Sequence, residues 1–339
     1  MDHKVLFVPG DLGACGYYRI TQRFQLLQMN PAGIQPIYLG PMVLQNAGQQ
    51  VTVTQRIVSA PALRALIRFK QNFGSKVIID YDDLLWTEPG EKLHKYNMFL
   101  NMIDLNKAYT ALKEYLPDAA DAVTVSSQSL KDSLKEIYPE DRIYVLPNML
   151  AIREWGFDRA VAVPSDDTFF YTGSLSHYSN AEEMYGDFSI PMANYLRKAP
   201  TMYMGDEKPW FFEKCFQETK WVSIELYPNF LYQNTRKAKF TMAPLDSNKF
   251  NACKSDLKYL ESCALGRVCL VSDFENSPYS GAHELQKIPV DASLDDIKNA
   301  VARCNEHYAE ILEYQYQYLN RRWMDTNMAR YVSSILSVI

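Results

Sequence analysis

A chain of 339 residues with 47% apolar side chains has the material for one very large domain or two ordinary ones. Its formal charge of −5 gives no overall attraction to nucleic acid or an anionic membrane, though a local basic groove stays possible. No run of about 18 apolar residues occurs, so no membrane span is expected, and the start MDHKVLFVPGDLG has no secretory pattern, so a cytoplasmic protein is expected.

The six cysteines include no Cys-x-x-Cys pair and sit mostly among apolar residues, as reduced thiols do. The five histidines are dispersed, and no metal site is expected.

Residues 4–9 read as a buried strand, 10–16 as a glycine-rich turn and 17–29 as a helix. That order opens a nucleotide-type α/β unit. The spacing Gly10, Gly13, Gly16 is not the dinucleotide fingerprint, so no nicotinamide cofactor is implied. Gly13 and Gly16 let a ligand approach the backbone, and Arg19 is placed to meet a phosphate or acceptor oxygen; a plain strand-to-helix turn with a surface arginine fits the same residues. Residues 34–40 read as a second strand, and the Gln-rich stretch 41–60 shows no clear pattern. Residues 60–72 form a basic helix with Arg64, Arg68 and Lys70, candidate acceptor contacts.

Residues 77–80 are a buried strand, followed by Asp80-Tyr81-Asp82-Asp83 at its carboxyl end, where α/β ligand sites lie. Clustered carboxylates need solvent or a cationic partner, and Asp82 or Asp83 is a candidate to orient or deprotonate an acceptor hydroxyl. His94 is a further candidate acceptor contact. A helix over 99–116, a strand at 122–125, a helix over 128–137 and a strand at 143–146 complete the first half, closed by Pro147-Asn148.

The second half opens with a strand at 168–171 and a turn carrying Gly173, Ser174 and His177. A helix over 180–198, a strand at 202–205, a helix over 210–218 and a strand at 222–226 follow. Tyr227 to Phe230 is a candidate platform for a planar base. A strand at 240–245 leads to a loop over 246–249 and then to FNACKSDLKYLESCALGRVCLVSD, residues 250–273. Lys254 and Ser255 stand at a helix start, where free amides and the helix dipole favour an anion. Lys258 and Glu261 are three apart and share a face. A diphosphate at the start and ribose hydroxyls on Glu261 would suit a nucleotide-sugar; an N-capped surface helix with a Lys–Glu pair has the same spacing. Gly266 is placed for a left-handed cap and 268–271 for a buried strand. Helices over 291–311 and 314–339 end the chain.

Residues 250–273 resemble the donor-binding segment of retaining GT-B glycosyltransferases of the group 1 (family 4-like) kind. Glu261, Ala264-Leu265-Gly266 and Val271-Ser272 match the second half of their Glu-x7-Glu pattern. Cys253 stands where the first Glu would fall, and the Lys-Ser-x-x-Lys-x-x-Glu form is similar to a variant common among phage-encoded members. The resemblance implies two Rossmann-like doubly wound domains, at 1–150 on the acceptor side and 165–312 on the donor side, with a closing helix in 313–339. It implies a nucleotide-sugar substrate, with UDP the expected nucleotide and no cofactor. Gly13, Gly16, Arg19, Gly173, Ser174, His177, Tyr227, Lys254, Ser255, Lys258 and Glu261 are then the donor set, with Lys254, Asp82 and Asp83 at the reacting centre. The phage-like variant points to hydroxymethylated pyrimidines in double-stranded DNA as acceptor, held by Arg64, Arg68 and Lys70. A polysaccharide, lipid or protein acceptor, or a GT-B-shaped binding protein without catalysis, is also compatible.

Overall fold

A computed structural model describes residues 3–29, 34–40, 44–89, 91, 104–157, 162–174, 177 and 185–337. His94 lies outside them. Among the described residues the chain forms two parallel six-stranded sheets. The first contains β1 (His3–Val8), β2 (Ile34–Tyr38), β3 (Val51–Gln55), β4 (Lys76–Tyr81), β5 (Ala122–Val125) and β6 (Ile143–Val145), in the order β2-β1-β3-β4-β5-β6. The second contains β7 (Phe169–Gly173), β8 (Thr201–Gly205), β9 (Cys215–Lys220), β10 (Phe240–Ala243), β11 (Val268–Asp273) and β12 (Lys287–Pro289), in the order β12-β11-β10-β7-β8-β9. Both are doubly wound. The direction of winding reverses between β1 and β3 in one and between β7 and β10 in the other, which opens a crevice at the carboxyl ends of those strands.

The strands are buried on both faces, as parallel sheets require. Val77, Ile79, Val123 and Val125 pack under the Ala60–Phe73, Leu105–Ala119 and Gln128–Leu134 helices. Val5, Phe7, Val51 and Ile78 face the opposite way. They are covered by Ile20, Leu26 and Leu27, and by Met324, Met328, Tyr331, Val332 and Ile335 of the Met324–Leu336 helix. That last helix therefore crosses from the second half back onto the first. The crossing is anchored where Leu150 pairs with Trp323 and Met324 N–H donates to the Leu150 carbonyl at 2.9 Å.

Several elements differ from the sequence reading. β3 was not anticipated; its Thr52 and Thr54 are buried, with the Thr52 hydroxyl bonded to Ser75 at 3.0 Å. In place of the expected helix over 210–218 a turn leads into β9, an edge strand whose side chains alternate between half-buried and exposed. The expected strand at 222–226 is a turn into the Tyr227–Thr235 helix, whose Pro228 suits a first helical turn. The helix expected over 17–29 begins at Ala14 and passes through a π-helical segment, Tyr17–Thr21. The closing stretch is two helices, Tyr308–Asn320 and Met324–Leu336.

Candidate functional site

The two crevices face each other across one cleft of about 1520 Å³. Its second-half wall is built from the end of β7, the loop after β10 and the Leu257–Ala264 helix. That helix ends as expected: Gly266 takes φ 64° and Arg267 N–H donates to the Ser262 carbonyl at 3.2 Å. It begins at Leu257, so Lys254 and Ser255 stand in the loop just before it.

Lys254, Ser255, Lys258 and Glu261 all line the cleft. Lys254 Nζ sits 4.6 Å from the centre of the Phe250 ring and 3.9 Å from Asp83 Oδ1 across the cleft. Lys258 Nζ donates to the Thr172 carbonyl at 2.9 Å and lies 4.6 Å from the Tyr171 ring centre. Burial, reinforced by the charge of Lys254, pulls its pKa down to about 8. Glu261 accepts from Tyr18 Oη at 2.7 Å and Tyr227 Oη at 3.4 Å. Burial pushes its pKa up to about 7, against the opposing effects of those hydroxyls and Lys258. Two cations and a carboxyl are thus ranked along one wall, the cations nearer the loop.

His177 lines the same wall beside Gly173 and Ser174. Its Nδ1 is 2.8 Å from Asp187 Oδ2, while Asp187 Oδ1 accepts from Asn251 Nδ2 at 2.8 Å and from Asp246 N–H at 3.3 Å. Burial and the nearby Lys258 and Lys254 lower the His177 pKa to about 4, so the ring is neutral at pH 7. Trp221, exposed and flanked by Val222, Ser223 and Ile224, lines the cleft beside the buried Tyr227, their ring centres 6.2 Å apart. The aromatic expected against a planar base is Tyr227; Trp221, just before the turn over 222–226, is a second ring on the cleft that the sequence does not single out.

The first-half wall carries Asp11, Arg56, Asp82 and Asp83. Arg56 follows β3 with φ 60°, a left-handed backbone uncommon for a long side chain. Its Nη1 stands 3.8, 3.7 and 4.0 Å from carboxylate oxygens of Asp11, Asp82 and Asp83. Burial raises the Asp82 pKa to about 6, Arg56 opposing it and Asp83 adding to it. Cys15, Asp82 and Asp83 offer ligand atoms within 4.8 Å of one another, a possible cation cage, but Arg56 already supplies the positive charge there.

Other candidates are placed differently. Arg19 borders the cleft, yet its guanidinium is committed: Nε and Nη2 donate to Asp80 at 2.9 and 2.7 Å, and Nη1 to the Leu146 carbonyl and Asn148 Oδ1. It is a buried structural cation. Gly13 lies on the wall and Gly16 behind it, but the amides of both donate to Asp11 Oδ1, at 2.8 and 3.1 Å. A Cβ at Gly16 would fall 1.9 Å from the Asp11 carbonyl oxygen, so that glycine serves the turn. Arg64, Arg68 and Lys70 are on the Ala60–Phe73 helix and are not among the cleft's lining residues. Arg64 bonds Tyr115, and Lys70 pairs with Asp121 at 3.1 Å. Cys253 turns away from the cleft into the first half's core, its carbonyl accepting from Ser127 Oγ at 2.9 Å.

No protein-family model matches the chain, and no curated protein matches it by sequence. Solved structures do resemble it. Anabaena HepE in complex with UDP-glucose superposes with a TM-score of 0.59 at 10% identity, covering 100% of both chains. The pneumococcal O-GlcNAc transferase GtfA in complex with UDP and GlcNAc gives 0.56 at 12% identity over 94% of this chain and 59% of that one. A UDP-forming α,α-trehalose-phosphate synthase from Burkholderia xenovorans gives 0.54 at 9% identity over 95% and 78%. The chain has the GT-B fold of these proteins.

Proposed function

We propose that this chain is a glycosyltransferase that moves a sugar from a UDP-sugar to an acceptor hydroxyl. The observation that carries the reading is the wall where Lys254, Lys258, Ser255 and Glu261 converge at the β7/β10 crevice. Two cations beside a helix start suit a diphosphate leaving group, and a carboxylate one to two turns along suits a ribose diol. Trp221 and Tyr227 offer a face for the base. The likeness to structures holding UDP and UDP-glucose supports the same donor. Isothermal titration with UDP, followed by assay of UDP release from UDP-glucose and related donors, tests the reading. Binding is expected; no heat with UDP and no release from any donor would sink it.

The resemblance implies retention of anomeric configuration. A second course is favoured by Asp82, whose Oδ1 is buried without a hydrogen-bond partner and whose pKa near 6 suits a base. In an inverting reaction Asp82 would take the acceptor's proton as the hydroxyl attacks. The configuration of the product, read by NMR, decides between them. For the acceptor, the cations expected to hold DNA stand on an outer helix. A hydroxyl on a sugar, lipid or protein side chain is therefore the better supported class than an extruded hydroxymethylpyrimidine.

UDP affinity is expected to be greatest between about pH 7 and 8. As pH rises through the Lys258 value of about 8, a positive charge facing the diphosphate is lost. As pH falls through the Glu261 value of about 7, the carboxylate that accepts ribose hydroxyls becomes neutral. Titrations from pH 5.5 to 9.5 should give both limbs, and Glu261→Gln should flatten the acidic limb alone. An unchanged acidic limb in that variant would remove Glu261 from the ribose site.

A further inference from the structure

Resting on the nucleotide-sugar reading, we infer that Asn148 is a positioning residue that fixes the Ser255 hydroxyl as a hydrogen-bond donor to the diphosphate. Asn148 follows β6 near the junction of the two halves. It is 4% exposed and borders the cleft. Its Oδ1 accepts from Arg19 Nη1 at 3.1 Å, and its Nδ2 donates to Ser255 Oγ at 2.8 Å. Its backbone carbonyl accepts from Arg322 Nε at 3.0 Å and Nη2 at 2.8 Å.

The direction of every proton in this chain is forced. A guanidinium only donates, so the side-chain oxygen of Asn148 must face Arg19 and its amide nitrogen must face Ser255. Ser255 Oγ is then an acceptor toward Asn148, and its own hydrogen is left for another partner. The cleft is where that hydrogen can point, beside Lys254 and Lys258. A hydroxyl locked as a donor favours an anionic oxygen and costs no reorientation on binding.

The relay also spans the two halves. Asp80 holds Arg19, Arg19 holds Asn148, and Asn148 holds Ser255 of the second half. Arg322 fixes the same junction from the far side, bonding Asp256 Oδ1 at 2.6 Å as well as the Asn148 carbonyl. Proton order in the first half is thereby read out at the donor wall of the second.

A double-mutant cycle on nucleotide affinity tests this, with UDP, GDP and ADP titrated in parallel because each presents the same diphosphate. Ser255→Ala is expected to weaken binding roughly tenfold, the size of one hydrogen bond to a charged group. Asn148→Asp should weaken it by about tenfold or more, since a carboxylate accepts from both neighbours and turns the serine hydrogen away from the cleft. In the Ser255→Ala background the same change should cost only about threefold, the residual effect of its charge. Asn148→Leu, uncharged and of similar shape, should show the same non-additivity, and thermal unfolding checks that each variant is folded. Equal losses in both backgrounds, or full affinity in Ser255→Ala, would overturn the relay while leaving the donor site standing. Failure of the wild type to bind any of the three overturns both.

Discussion

Lys254→Ala is expected to lower sugar transfer by roughly 10²–10³-fold, the usual cost of removing one preorganised group that meets developing charge. In the proposed reaction the leaving diphosphate gains negative charge as the glycosidic bond breaks. Lys254 is the cation at the loop end of the wall, held over Phe250 and across from Asp83. Asp83 is a distant partner at 3.9 Å and does not consume the charge. The pair should contribute less than about 1 kcal/mol to folding, so the thermal midpoint should stay within a few degrees of wild type. Part of the loss should be recovered at alkaline pH, because Lys258 no longer feels its neighbour and keeps its proton to higher pH. Steady-state kinetics on the variant, alongside a melting curve, read both effects. Turnover at the wild-type rate would remove Lys254 from the reacting centre.

Arg19→Ala is expected to cost about 3–5 kcal/mol of stability, the range seen when one partner of a buried ion pair is removed. Asp80 is fully buried and would keep only Thr124 Oγ1 at 2.5 Å and a remote contact with Arg23 at 3.9 Å. Arg23 is a poor replacement. Its Nη1 stands 3.9 Å from Asp80 Oδ2, beyond hydrogen-bond reach, and its guanidinium is held over the Tyr331 ring, 4.7 Å from the ring centre. The midpoint of thermal unfolding should fall by roughly 10 °C. Asp80→Asn in the same background should recover part of it by removing the stranded charge. A midpoint within 2 °C of wild type would mean that the pair is not structurally important.

The second-half wall of the cleft could be read from the chain because its signals are local. Helical spacing, a cation just before the helix, a glycine two residues past its last and a short apolar strand all fall within 24 residues. The first-half wall could not. β3 reads Val-Thr-Val-Thr-Gln, the pattern of a half-exposed strand, and its glutamine-rich approach resembles a loop; only burial of its threonines reveals a central strand. Missing it hid Gln55, which donates to the Cys15 carbonyl at 3.2 Å and braces the loop, and Arg56, which faces three carboxylates. Arg19 shows the converse, a cleft-lining residue whose partners are distant in sequence. An arginine beside a glycine-rich turn suggests a ligand contact, and its true partner is 61 positions away. The turn over 222–226 alternates valine, isoleucine and leucine as a strand would, yet Val222, Ser223 and Ile224 line the cleft.

The packing of Met324–Leu336 against Val5, Phe7, Val51 and Ile78 has a bearing on biosynthesis. All six strands of the first sheet leave the ribosome while one of its faces is covered only by Ile20, Leu26 and Leu27, the rest of its cover being encoded roughly 180 residues later. At about 5–20 residues per second, that face waits on the order of 10–35 s. Over that interval the nascent amino-terminal half presents the uncovered part of that apolar face to holdase chaperones, and it is committed to its final form only after residues 324–336 have emerged.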